Sequence, residues 1–193
     1  ARVPLGGGGI EYPGSILMLD GSRLVAVHET AHQWFYAMVG NSQARDPWMD
    51  EALASFAEQV VDDDPPPPDA LTEPGTVGAS TESYGKNEND YYFVTYDKGA
   101  AALHEARKQA GDAAFDAARR CYGNANAWRI AQPSDVRAAF GDAGASSAAI
   151  MPPARLARAD DGSAGDGLRA EFGRSDVAPA SVIWGQSFGA WSR

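Results

Sequence analysis

The sequence predicts a mainly α fold with a small N-terminal β region, an α+β class. Apolar residues recur at helical spacing in several windows after Ser22, whereas the extended-looking stretch lies before it. With 193 residues, 44% of them hydrophobic, the chain can bury one sizeable core, or one core plus a tail.

The segment "GGGGIEYPGSILML" is a glycine-rich approach in which Ile10, Ile16, Leu17, Met18 and Leu19 suggest an extended segment, ended by a turn at Asp20-Gly21-Ser22. Ser22 can cap a first helix whose apolar face is Leu24, Val27, Ala31, Phe35 and Met38, with Gly40 and Asn41 as its stop. Asn41 reads as a cap of that helix. A second helix is predicted over about Asp50 to Val61, with Leu53, Phe56, Ala57 and Val60 on one face. "DDDPPPPDA" ends it, because successive prolines fix φ and lack an N–H. Residues 62–90 read as loop. A third helix is expected over about Tyr96 to Gln109, a fourth over Asp112 to Tyr122, and a short fifth after "QPSD" with Ser134 as its cap. Beyond Gly141 the chain turns Ala, Gly, Ser and Asp rich. Residues 1–141 are therefore expected to form the core, and 142–193 a linker or disordered tail with an aromatic C-terminal segment around Trp184, Phe188 and Trp191. Cys121 excludes an intrachain disulfide framework and reads as a small buried hydrophobe.

Charge narrows the function classes. The net charge is −10, and Asp46 to Gly85 contains no Lys or Arg but holds ten acidic residues. Such a field repels nucleic acid and anionic membrane and favours a metal or a positively charged substrate group. Most of these acids read as a solvated face. No run approaches the roughly 18–20 apolar residues of a membrane-spanning helix, so no membrane insertion is expected. The start at Ala1, without Met or a signal-peptide pattern, reads as a mature product or an excised piece. Cytoplasmic and exported settings both stay open.

The chemistry concentrates in "VAVHETAHQWFYAMVGN". On a helix, His28 and His32 stand one turn apart on one face and can aim nitrogens at one zinc ion. Glu29, about 100° round the helix from His28, is placed for water bound to the metal rather than for the metal itself, the position of a general base. Catalytic zinc takes three protein ligands and keeps a position open. Glu51 is the best third ligand, with Asp50 and Glu58 as competitors. His104 is chemically acceptable, but "ALHEARK" places it on an exposed helix surface.

"HETAHQWF" followed, eighteen residues after His32, by Glu51 in "PWMDEALASFAE" resembles the HExxH-x18-E pattern of the gluzincin aminopeptidases, the family of aminopeptidase N and leukotriene hydrolase. "GGIEYPG" is similar to that family's GxMEN motif in its bacterial GGMEYP form, and "TYDKGAAAL" to its YxKG segment. The resemblance covers roughly Gly6 to Phe140. It implies a thermolysin-like zinc peptidase catalytic core carrying one Zn2+ per chain. Under it, His28, His32 and Glu51 are the ligands, Glu29 is the base that activates water, Glu11 holds the substrate's α-ammonium, and Tyr96 stabilises the oxyanion. Gly8 and Gly9 let backbone approach the substrate closely. The implied substrates are peptides with a free N-terminus. The family's N-terminal β-sandwich and C-terminal helical regions imply a longer parent protein with flanking domains.

Each residue also has a purely structural role open to it. Tyr96 can pack among Tyr91, Tyr92 and Phe93, Glu11 can be a turn acid, and the glycines a flexible lead-in. Trp34 and Phe35 read as core. The alternatives to an aminopeptidase are a zinc-containing but inactive scaffold and a zinc endopeptidase in which Glu11 is idle.

Overall fold

The computed structural model describes residues 8–19, 21–85 and 87–141, all within one compact unit, Ala1–Pro152. The linker or tail expected over 142–193 lies outside the described residues. The fold is mostly helical with a small β region. Strands β1 (Gly9–Tyr12) and β2 (Ser15–Met18) form an antiparallel hairpin, in the register Gly9↔Met18 to Tyr12↔Ser15. The extended segment is thus two strands, because the chain reverses at Pro13-Gly14.

Helix α1 runs from Arg23 to Ala31, with the Ser22 hydroxyl accepting from the Val25 N–H at 3.4 Å, the cap that the sequence suggested. It is much shorter than expected. After Ala31 the bonds alternate in span: Trp34 N–H reaches the Ala31 carbonyl at 2.9 Å, whereas Val39 N–H reaches back to Trp34 at 2.9 Å. The irregular turn delivers Val39–Gly40 as β3, which pairs in parallel with β4 (Arg129–Ile130). Long-range pairing overrides the local helical pattern here. Asn41 therefore caps nothing; its amide donates to the Asp46 carbonyl at 2.8 Å.

Helix α2, Trp48–Asp62, is the central element. Asp50 and Glu51 in its first turn suit the positive end of the helix dipole. Asp63, at φ 53°, and the prolines that follow end it. The region 62–90 is more structured than expected. It holds a 3₁₀ turn at Ala70–Thr72, α3 (Thr81–Tyr84) and the start of α4 (Glu88–Tyr92). A π-helical segment, Phe93–Lys98, then leads into α5 (Gly99–Ala110), so the expected third helix is a π-turn plus a shorter α-helix. Lys98 ties the segment down by donating to the Gly75 carbonyl at 2.9 Å and to that of Glu73.

Helices α6 (Asp112–Asn126) and α7 (Pro133–Gly141) close the core. Ser134 is not the cap of α7. Asp135 reaches back to the Gln132 N–H at 2.7 Å instead, in the manner of a capping box. Met49, Leu53 and Phe56 of α2 pack with Leu103 of α5, Phe115 and Tyr122 of α6, and Val136 and Phe140 of α7. Phe35 joins them and Trp34 packs against the edge, as expected. Cys121 is exposed, because Ala118 and Tyr122 face the core instead. Among the described residues no helix is long and apolar enough to cross a membrane.

Candidate metal centre

The turn between the two halves of the motif brings α1 and α2 side by side. His32 follows the last residue of α1 in nearly helical geometry, φ −61° and ψ −15°, so the two imidazoles stay one turn apart, ring centroids 4.7 Å from each other. Glu51, in the first turn of α2, faces them. Its Oε2 lies 3.4 Å from Nε2 of both His28 and His32. The three donors all lie within 4.8 Å of one another. Glu51 Oε2 is buried without a hydrogen-bond partner, the state expected of an oxygen whose partner is a cation. The donor set of two nitrogens and one carboxylate suits zinc with an open position.

The other face of each imidazole is also held. Glu58 Oε2 meets His28 Nδ1 at 2.9 Å, and Asp50 Oδ1 meets His32 Nδ1 at 2.6 Å. The Phe35 carbonyl lies 3.1 Å from the same Nδ1, and Gln43 donates to the other Asp50 oxygen. With both Nδ1 atoms engaged, the Nε2 atoms are left for a metal. Asp50 and Glu58 thus meet the imidazoles on their Nδ1 side, whereas Glu51 meets them on the Nε2 side. Spacing carried part of the signal: Glu51 and Glu58, seven residues apart, share the helix face that meets His28, while Asp50 reaches the Nδ1 side of His32. Sequence reasoning missed Gln43 and Gln33 altogether.

Electrostatics follow from burial and contact. Burial opposes charge on His28, but the nearby carboxylates of Glu51, 3.4 Å away, and of Glu58 outweigh it and hold its pKa at about 9. Burial opposes charge on His32 as well, and Asp50 and Glu51 more than offset it. The Glu51 carboxyl, despite burial, is drawn down to about 2 by the two imidazoles. Glu29 is 5% exposed, its pKa is raised by burial, and its Oε2 has no hydrogen-bond partner. A carboxylate in that condition is a stronger base than one in water.

Glu11, on β1, comes within 4.8 Å of ligating atoms of His32 and Asp50. Gly9 lies against Glu29, and Gly8, at φ 96°, leads into the strand. Tyr96 sits in the π-helical segment with its ring stacked on His28, centroids 5.7 Å apart and planes within 9°. Burial, and then the charge of Glu51, raise its pKa, so it stays a phenol that donates. π-turns inside helices are frequent at functional sites, and this one holds Tyr96 against His28. His104 is elsewhere: half-buried rather than exposed, its ring is 4.7 Å from that of Phe56.

No protein-family model matches the chain. Aminopeptidase N of Lactococcus lactis subsp. lactis is 29% identical over a 119-residue alignment that takes in 51% of this chain and 14% of that protein. Among solved structures, an M1 zinc metallopeptidase from Deinococcus radiodurans aligns with a TM-score of 0.56 at 20% identity, covering 81% of this chain and 40% of the other. A two-domain M1 zinc metallopeptidase bound to L-arginine aligns with a TM-score of 0.59 at 22% identity, covering 79% and 38%. At such identity what is shared is the fold. The chain spans about a seventh of the curated relative and about two fifths of these structures. Relative and structures agree with the gluzincin aminopeptidase resemblance carried by the motifs, over part of a catalytic region.

Proposed function

We propose that the chain is the thermolysin-like catalytic core, over residues 1–141, of a zinc aminopeptidase that removes N-terminal residues from peptides. The observation that carries this reading is Glu51 Oε2, orphaned and equidistant at 3.4 Å from Nε2 of His28 and His32. In this reading His28, His32 and Glu51 hold one zinc ion, which when bound supplies Lewis acidity toward water and the scissile carbonyl.

The chain's own residues do the rest. Glu29 accepts a proton from the attacking water and passes it to the departing amine, a role suited to its buried carboxylate. The Tyr96 hydroxyl donates to the carbonyl oxygen as charge develops there; loss of one such donor costs about 10² to 10³ in rate. Glu11 accepts hydrogen bonds from the substrate's α-ammonium and so counts one residue from the chain end. Gly8 and Gly9 give the hairpin edge a backbone that a peptide can approach closely.

The test is metal content followed by turnover. The expected result is one zinc per chain, cleavage of aminoacyl amides, resistance of their N-acetylated forms, and loss of turnover with zinc retained in Glu29→Gln. Zinc binding with neither free nor blocked peptides cut points to a scaffold. Cleavage of blocked peptides points to an endopeptidase.

A further inference from the structure

We infer that Gln33 is a positioning residue: it clamps the β1–β2 hairpin to the turn that follows His32 and so sets where Glu11 meets the substrate's N-terminus. The inference rests on the aminopeptidase reading above. Gln33 directly follows His32, and its amide bridges one tight turn. Nε2 donates to the Tyr12 carbonyl at 3.1 Å, and Oε1 accepts from the Gly14 N–H at 2.8 Å. The two partners flank Pro13. Holding both requires a donor and an acceptor on one planar group, which an amide side chain provides.

The hairpin needs such a tether, because two strands alone are marginally stable in water. Its face toward α1 carries Gly9 and Glu11, two residues apart and therefore on the same side of the strand. Gly9 is pressed on Glu29, while Glu11 reaches toward His32 and Asp50. Glu11 is only one residue from Tyr12, the clamped end of β1. The position of the turn beside Gln33 therefore sets the distance from the ammonium-binding carboxylate to the metal ligands. A residue attached to a ligand helix thereby gauges the exopeptidase register without touching substrate.

The experiment is a double-mutant cycle read by KM, on zinc-loaded protein with an aminoacyl amide as substrate. Gln33→Met keeps the side-chain length and removes both hydrogen bonds. Its expected effect is a KM raised about tenfold, with zinc stoichiometry unchanged and kcat within about twofold. In a Glu11→Ala background the same substitution is expected to move KM by less than about twofold, because the group it positions is gone. An equal rise in both backgrounds, or loss of zinc, overturns the inference, since a merely structural role acts whether or not Glu11 is present. A wild type that cleaves aminoacyl amides while Gln33→Met leaves KM unchanged overturns the clamp alone; a zinc-loaded wild type that cleaves none overturns the aminopeptidase reading with it. Amide exchange checks the clamp directly: Gly14 N–H is expected to exchange faster in Gln33→Met than in the wild type, because its acceptor Oε1 is gone, and equal rates count against it.

Discussion

Gly9 lies directly against Glu29: a Cβ placed on Gly9 would stand 2.7 Å from Oε1 and 2.6 Å from Cγ of that glutamate. The atoms in the way belong to a side chain with rotatable bonds, so Gly9→Ala displaces the carboxylate rather than unfolding the hairpin. Moving the proposed general base by about 1 Å costs on the order of 10²-fold in rate. Gly9→Ala is expected to lower kcat by roughly that factor with zinc content and Tm near wild type, as judged by steady-state kinetics, metal analysis and calorimetry. Unaltered kcat would show that Glu29 has no fixed catalytic position.

Glu58 touches no predicted ligand atom, yet it holds the orientation of His28 through Nδ1 at 2.9 Å. Glu58→Gln keeps the shape and removes the charge that makes the imidazole a better donor. Removal of such supporting carboxylates typically weakens metal affinity 10- to 100-fold. Competition against a chelator of known zinc affinity measures the change. An affinity within twofold of wild type would assign Glu58 to the surface.

The legible parts of this fold were those written by local chemistry. Ser22, the proline run after Asp64 and the periodic face of α2 act within a turn or two of chain, and they end or start elements where expected. The truncation of α1 was not legible, because Val39–Gly40 leaves the helical pattern to pair with Arg129–Ile130, some ninety residues on. The same limit applies to the site. His28, His32 and Glu51 follow from spacing on two helices. The roles of Gln33 and Gln43 depend on where the hairpin and the Asn41–Pro47 loop dock, and a side-chain amide in sequence carries no mark of its partner.

Protons and zinc compete for the same imidazole nitrogens, and the sign of that competition follows from the raised pKa values of both His28 and His32. That of His28 rises from an ordinary 6.5 to about 9 in the metal-free fold, so its stabilising effect is full below about 6.5 and is lost as pH climbs through 9. Glu51 moves the other way, from 4.5 to about 2; its contribution is present above 4.5 and is lost as pH falls through 2. The metal-free protein is therefore expected to lose stability as pH climbs from about 6.5 toward 9. Zinc must displace the His28 proton, so binding at neutral pH is expected to release protons and to tighten as pH rises toward 9. Thermal scans of the metal-free protein across pH, and zinc titration calorimetry in two buffers of different ionisation enthalpy, measure the two effects. A flat Tm from pH 6 to 9 together with proton-neutral binding would contradict both.

Gly99 couples the core to the site. It opens α5 directly after the π-helical segment that carries Tyr96, and a Cβ there would stand 2.6 Å from the Cβ of Ala52 on α2. Ala52 is wholly buried, and its Cβ has no rotamer by which to move aside. Gly99→Ala must therefore push α5 away from α2, an overpacking that costs about 1–3 kcal/mol and lowers Tm by several degrees in a chain of this size. The same displacement shifts Tyr96 on its helical turn, so kcat is expected to fall even though no catalytic group has changed. The cause is separable by relieving the contact from the other side. Ala52→Gly removes the opposing Cβ, costs about 1 kcal/mol as a glycine inside a helix, and should make Gly99→Ala tolerable. The double variant is expected to recover kcat relative to Gly99→Ala alone and to show a coupling of at least about 1 kcal/mol in the cycle. Additive losses in the double variant would mean that the close approach of these two helices does not hold Tyr96 in place.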